Sequence, residues 1–278
     1  MKTSQENDIK EVFEYCIDKI NSKSPLIHNI TNFVVMNSTA NILLATGASP
    51  IMAHSMEEVR EIAKIVGAVV LNIGTLEPSW LLSMMEAGKT ANKQNIPVVL
   101  DSVGSGATTF RTNAVMQILS EIKVDILRGN LSEIMSLVSS RFKTKGVDNT
   151  MSLTNEKENA IKNFAVERKC IIAVSGESDF ITDGKISYKI NNGHPIMTKI
   201  TGTGCGLSAV IGAFCAVRKN ELLKATAAAS AFYAACGQKA AEVSNKPGSF
   251  FTEFLDTLYS CNKDDLIKVF NIEMLIEK

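Results

Sequence analysis

Short runs of consecutive apolar residues alternate with longer stretches of helical periodicity along most of this chain. Four of the short runs, AVVLNIG (68–74), PVVLDSVG (97–104), DILRGN (125–130) and CIIAVSG (170–176), are largely apolar and then end in Asn, Asp, Ser or Gly. A strand buried on both faces of a parallel sheet has this pattern, because helices cover both sides and only its carboxyl end opens into a loop. Between them SMEEVREIAKIVG, PSWLLSMMEAGKTANKQN and SLTNEKENAIKNFAVERK repeat apolar positions at helical spacing. Alternating β and α elements predict an α/β three-layer sandwich, with a mostly parallel central sheet flanked by helices. The segment DFITDGKISYKINNG differs, since Asp183-Gly184 joins two short alternating runs and predicts a hairpin. Beyond residue 204 the pattern predicts helix almost throughout, in ELLKATAAASAFYAACGQKAAEVS, SFFTEFLDTLYS and DDLIKVFNIEMLIEK. No linker, low-complexity tract or repeat interrupts the chain, so residues 1–278 are expected to form one domain.

Composition narrows the class. The chain has 278 residues, 45% of them hydrophobic, which is enough to build a core without covalent staples. Lys plus Arg and Asp plus Glu both number 29, giving zero net charge and no long basic run. That balance argues against a nucleic-acid footprint and against electrostatic attachment to a membrane. The cysteines, Cys16, Cys170, Cys205, Cys215, Cys236 and Cys261, form no C-x-x-C pair and mostly sit in apolar runs. Reduced, buried thiols in a cytoplasmic protein are expected rather than disulfides or a zinc site. The amino terminus is polar, unlike a signal peptide, and no apolar run has the length of a membrane span.

Ligands of open parallel sheets bind beyond the carboxyl ends of the strands, and four polar clusters fall there. Gly202-Thr203-Gly204-Cys205-Gly206 opens an apolar helix. Free amides at a helix start, with no Cβ in the way, can cradle an anion; a plain tight turn is the alternative. RGNLSE offers Arg128 for phosphate, and Glu133 one turn from Asn130 for Mg²⁺ held through water; an Asn helix cap with a surface Glu is the alternative. Asp101, on the tip of a buried strand, needs a cation or donors, or else caps the glycine turn that follows. In the stretch 24–55, Asn29, Thr31, Asn32 and Asn37 interrupt an apolar segment that ends near Met52, a combination suited to a small, flat, neutral ligand.

HNITNFVVMNSTANILLATGASPIMAHS (28–55), VLDSVGSGATTFRT (99–112), RGNLSEI (128–134), ITGTGCG (200–206) and KPGSF (246–250) together resemble the hydroxyethylthiazole kinase family. The motifs agree in order and spacing from about residue 10 to beyond 255. The resemblance implies a ribokinase-like fold and a homotrimer with active sites between subunits. It also implies transfer of phosphate from ATP, with Mg²⁺, to the hydroxyl of a thiazole alcohol in thiamine biosynthesis. Residue by residue, it implies that Met52, Gly202 and Asn29 contact the alcohol and that Arg128 and Ser175 bind ATP. Asp101 and Glu133 would manage Mg²⁺ and phosphate oxygens. Gly202 to Gly206, with Gly204 at their centre, would form the anion hole, and Cys205 would stand beside the acceptor hydroxyl. Ser102 departs from the family's usual proline, Ser175 from its threonine and Thr203 from its alanine.

Related sugar kinases carry an aspartate base where Cys205 stands. A helix start favours thiolate, so the Cys205 pKa is expected below the free value of about 8.5. Because phosphoryl transfer asks little of its base, the expected role is to orient the hydroxyl and accept its proton late, with a merely well-fitting small residue as the alternative. Two other functions remain open: another ribokinase-like kinase of a small alcohol (pyrimidine, sugar or vitamin precursor), and a non-catalytic nucleotide sensor. A dinucleotide-dependent oxidoreductase fits less well, since the glycines do not follow a first strand.

Overall fold

The computed structural model describes residues 2–142, 152–260 and 262–276; Cys261 lies outside them. The chain runs α1 (Lys2–Lys23), β1 (Leu26–Ile30), α2 (Met36–Thr46), β2 (Ser49–Ile51), α3 (Val59–Ile65), β3 (Ala68–Asn72), α4 (Pro78–Lys93), β4 (Val98–Asp101) and α5 (Thr109–Glu121). It continues as β5 (Ile126–Asn130), α6 (Leu131–Phe142), α7 (Asn155–Arg168), β6 (Ile171–Ser175), β7 (Asp179–Thr182) and β8 (Ile186–Ile190). A 3₁₀ turn (Pro195–Lys199), α8 (Thr203–Val217), α9 (Leu222–Val243), α10 (Pro247–Ser260), α11 (Lys263–Val269) and β9 (Ile272–Ile276) complete it.

One sheet carries all these strands in the order β2-β1-β3-β4-β5-β6-β7-β8-β9. From β2 to β6 the pairing is parallel, and β7, β8 and β9 add an antiparallel meander. Side chains alternate between two cores. Ile27, Val70, Val99, Ile126 and Ala173 join a core with α1, α2, α8, α9 and α10, while Ile30, Leu71, Leu100, Leu127 and Val174 join one with α3 to α7. The expected three-layer sandwich is therefore present, and the period of two along each strand builds both cores at once. Among the described residues no helix is long and apolar enough to cross a membrane.

The four strands expected from uninterrupted apolar runs appear as β3 to β6, and Asp183-Gly184 makes the hairpin. Gly184 has φ +94°, and Asp183 Oδ1 accepts from the amides of Lys185 and Ile186 at 2.8 Å each. One expectation fails. DDLIKVFNIEMLIEK is helical only as far as Val269, and Ile272–Ile276 pairs antiparallel with β8. The open edge of β8 needs hydrogen-bond partners, and that demand outweighs the helical propensity of a short terminal segment. Residues 277–278 of that stretch lie outside the described residues. Two short strands, β1 and β2, come from the segment 24–55, which the apolar pattern left without a strand.

Candidate active site at the carboxyl edge of the sheet

Alternation along the strands decides where the site forms. Asn29 follows Ile27 by two residues, Asn72 follows Val70, Asp101 follows Val99, Arg128 follows Ile126 and Ser175 follows Ala173. All five therefore point to the face that carries α8, at or next to the carboxyl end of a strand. In register, Asn72 lies opposite Asp101 and Asp101 opposite Arg128. Helix α8 begins over this edge.

Gly202 is the residue preceding α8 and adopts φ +89°, a conformation open to glycine and strained for other residues. A Cβ there would lie 2.8 Å from Val35 Cγ1. The amide of Gly206 donates to Gly202 O at 2.8 Å, so the amides of residues 203–205 precede the intrahelical ladder and face outward. Tyr233 Oη donates to Thr203 O at 2.8 Å, and Thr203 Oγ1 donates to Met197 O at 3.1 Å, which ties the turn to α9 and to the 3₁₀ segment. Arg128, 7% exposed, lays its guanidinium over Gly204, where a Cβ would come within 2.7 Å of Nη1.

From Arg128 a continuous set of side-chain hydrogen bonds runs along the edge. Arg128 Nη2 donates to Ser175 Oγ, and Nη1 reaches Asp101 Oδ1 at 3.4 Å. Asp101 Oδ2 accepts from Ser208 Oγ at 2.8 Å and from Asn72 Nδ2 at 2.9 Å. Asn72 Oδ1 accepts from Asn32 Nδ2 at 2.9 Å, and Asn32 Nδ2 also donates to Cys205 Sγ at 3.6 Å. Arg128 Nε is buried without a hydrogen-bond partner, as are Asn29 Oδ1 and Thr39 Oγ1. The chain of contacts thus joins the nucleotide-side candidates to Cys205.

Burial sets the charge states. Complete burial pushes the Asp101 carboxyl up, against the pull of Arg128 and the Ser208 hydroxyl. For Cys205, burial and then the charge of Asp101 push the thiol up to about 11, against Asn72, Arg128 and Asn32. The expected lowering by the helix start is thus reversed, because burial disfavours the thiolate and the Asp101 carboxylate repels it, while α8 contributes only a partial charge. Asp179, which shares a crevice with Arg128, Ser175, Leu207 and Ser230, is pushed by burial up to about 6. One expected outcome follows from the Cys205 value. At pH 7 about one thiol in ten thousand is ionised, so its alkylation should be slow and rise about tenfold per pH unit toward pH 11. Iodoacetamide incorporation, read by mass spectrometry of the Cys205 peptide, checks this; a plateau reached below pH 9 would contradict it.

The remaining candidates divide. Glu133 Oε2 accepts from Asn130 N at 2.8 Å, while Asn130 Oδ1 accepts from Glu133 N at 2.9 Å, a reciprocal cap on α6. Glu133 Oε1 also accepts from Gly104 N at 2.7 Å and so pins the glycine loop after Asp101. In place of the proline of the resembled family, Ser102 donates its amide to Arg128 O at 2.9 Å, a bond that proline could not make. Asn29 is buried, with Nδ2 donating to Ile27 O at 2.9 Å, and Met52, half-buried, directly follows β2, whose Ile51 pairs with His28. Asn37 is exposed on α2 and accepts from Asn41 Nδ2, so it stands apart from this group. Asn72 and Ser208 were not among the expected site residues. A polar residue closing the otherwise apolar run AVVLN was the available signal for Asn72; Ser208, on an apolar helix, left none.

A family model described as hydroxyethylthiazole kinase matches residues 17–264. The chain belongs to the hydroxyethylthiazole kinase family. A hydroxyethylthiazole kinase of Desulfotalea psychrophila is 48% identical over 252 residues, covering 91% of this chain and 92% of the relative. One from Desulfosudis oleivorans is 48% identical over 244 residues, 87% of this chain and 88% of its own length. The solved structure of a hydroxyethylthiazole kinase from Pyrococcus horikoshii OT3 superposes with a TM-score of 0.86 at 41% identity, covering 96% of this chain and 99% of that one. A ribokinase-like superfamily protein of Enterococcus faecalis shares the fold at 11% identity, with a TM-score of 0.61 over 87% of each chain. The three-layer, mostly parallel architecture that the apolar pattern predicted is thus the ribokinase-like fold that the resemblance implied.

Proposed function

We propose that this chain transfers the γ-phosphoryl group of ATP to the hydroxyl of 4-methyl-5-(2-hydroxyethyl)thiazole, yielding the thiazole phosphate and ADP for thiamine biosynthesis. The observation that carries this reading is the convergence of three features on one spot. The open amides before Gly206, the Arg128 guanidinium and the Cys205 sulfur all meet at the start of α8. In the reaction the alcohol oxygen attacks phosphorus, its O–P bond forms as the bond to the ADP oxygen breaks, and the hydroxyl proton departs late to water. The amides and Arg128 favour the charge that spreads over the transferring oxygens. Arg128 and Ser175 hold the nucleotide phosphates, and Met52, Asn29 and Gly202 line the alcohol pocket. Cys205, neutral at working pH, orients the hydroxyl.

The carboxylates fit a magnesium ion held largely by water and phosphate. Glu133 keeps lone pairs beyond its two amide contacts, and among the described residues no group of three or more acidic, His or Cys side chains forms a metal cage. Asp101 is 0% exposed and already bonded to Asn72 and Ser208, so its share in holding Mg²⁺ would pass through water. Bound there, Mg²⁺ would neutralise phosphate charge.

We read residues 1–278 as one kinase domain, since a single sheet runs from β2 to β9. A homotrimer with sites at subunit boundaries is proposed as well. Phe33 and Val34, 57% and 61% exposed just past β1, offer apolar surface beside the alcohol pocket. Sedimentation of an active monomer would reject it. A cytoplasmic location accords with Cys16, Cys170, Cys205 and Cys215 being free thiols.

The test is phosphate transfer from ATP to the thiazole alcohol by the purified chain, with magnesium omitted as control. Phosphorylation of a sugar or a pyrimidine alcohol instead would place the chain with another substrate. ATP binding without consumption across the panel would make it a sensor.

A further inference from the structure

Asn72 lies between Asp101 and Cys205, and its neighbours fix which way its amide points. Its Oδ1 accepts from the backbone amide of Gly74 at 3.0 Å, a group that only donates. Its Nδ2 therefore faces Asp101 Oδ2, an acceptor, at 2.9 Å. Asn32 is fixed in the same way, because its Oδ1 accepts from the amide of Val34 at 3.1 Å, leaving Nδ2 to face Asn72 Oδ1 and Cys205 Sγ. Each NH₂ group has two hydrogens. Asn32 uses one on Asn72 and the other on sulfur, and Asn72 gives one of its own to Asp101. Both asparagines are buried, at 1% and 4% exposure.

We propose that Asn72 is a positioning residue for the transfer. It anchors Asn32, whose amide occupies the accepting side of the Cys205 sulfur, so that the S–H bond turns away from that amide toward the mouth of the anion cradle. The polarity originates in Asp101, whose oxygens only accept when ionised, and it is relayed through two amides to the thiol. Held this way, Cys205 meets the alcohol as a hydrogen-bonding group of fixed direction. The charged or polar groups that bear on the thiol are Asp101, Arg128, Asn72 and Asn32.

The catalytic part of this inference rests on the kinase reading, whereas the link between Asn72 and the thiol does not. The test uses the full-length chain and Asn72→Ala, with kcat, KM for ATP and the pH dependence of Cys205 alkylation as readouts. Losing the anchor of Asn32 should loosen its amide contact with the sulfur and move the alkylation curve to higher pH. Losing the fixed direction should lower kcat by about threefold to tenfold, with KM for ATP changed less than about threefold. A purely structural role for Asn72 would lower the yield of folded protein and leave the Cys205 titration where it was. Should Asn72→Ala fail to fold, Asn32→Ala removes the neighbouring donor and is read the same way. An alkylation curve unmoved in the folded variant, or kcat unchanged within twofold, overturns the proposal. If the parent chain phosphorylates nothing, the kinase reading fails while the alkylation curves still decide whether Asn72 governs the thiol.

Discussion

Gly204→Val should lower phosphate transfer at least a hundredfold, while Cys205→Ser should stay within about tenfold of the parent. The reason is crowding rather than backbone strain. Gly204 lies inside α8, and a Cβ there would stand 2.7 Å from Arg128 Nη1 and 2.9 Å from Nη2. An exposed arginine would swing away, but this one is held by Ser175 on one side and Asp101 on the other. Valine would therefore displace the guanidinium or fill the space that the phosphoryl oxygens need. Serine at 205 keeps a small polar atom in reach of Asn32, and the thiol is largely un-ionised to begin with. Initial rates of ADP release with the thiazole alcohol decide between the outcomes. Gly204→Val with turnover within threefold of the parent would show that the phosphoryl group is held elsewhere.

Arg128→Met should be the most damaging substitution to stability as well as to turnover. Asp101 is 0% exposed and Arg128 7%, so methionine would leave a carboxylate buried beside no cation. Removing one member of such a pair costs about 3–5 kcal/mol, because the survivor keeps its desolvation penalty. Urea denaturation measures the loss. It should depend on pH in a definite direction. Burial already raises the Asp101 carboxyl, so alone it would bind its proton more tightly folded than unfolded. The deficit should then grow as pH rises above the ordinary aspartate range and shrink below it. Adding Asp101→Asn should recover part of the stability and none of the turnover. A single variant as stable as the parent at neutral pH would mean that Asp101 is held by Ser208 and Asn72 without help.

The elements that were legible in the sequence are those whose local pattern and tertiary surroundings agree. β3 to β6 are apolar on both faces because helices cover both, and the Asp183-Gly184 turn advertises its own conformation. β1 was hidden because His28 and Asn29, both buried, interrupt its apolar run. β9 was hidden because its partner, the edge of β8, is distant in sequence, and nothing within NIEMLI distinguishes a strand that fills an edge from the end of a helix. The same division runs through the site. Glycines at a helix start, an aspartate on a strand tip and an arginine at the next strand are visible one by one. The charge state of Cys205 was not, since it depends on how deeply the thiol sits and how near Asp101 comes. Glu133 shows the alternative reading, as the partner of the Asn130 cap.

The site residues from Asn72 to Ser175 share one face only because each strand sits in its native alignment. Sliding any of β3 to β6 by a single position would send its polar tip into the opposite core, with the apolar interior nearly as well filled as before. Such a misaligned species would be compact, rich in native secondary structure and catalytically silent. Recovered activity during refolding would therefore time the locking of strand alignment, a step that far-ultraviolet dichroism and collapse of the chain would both miss.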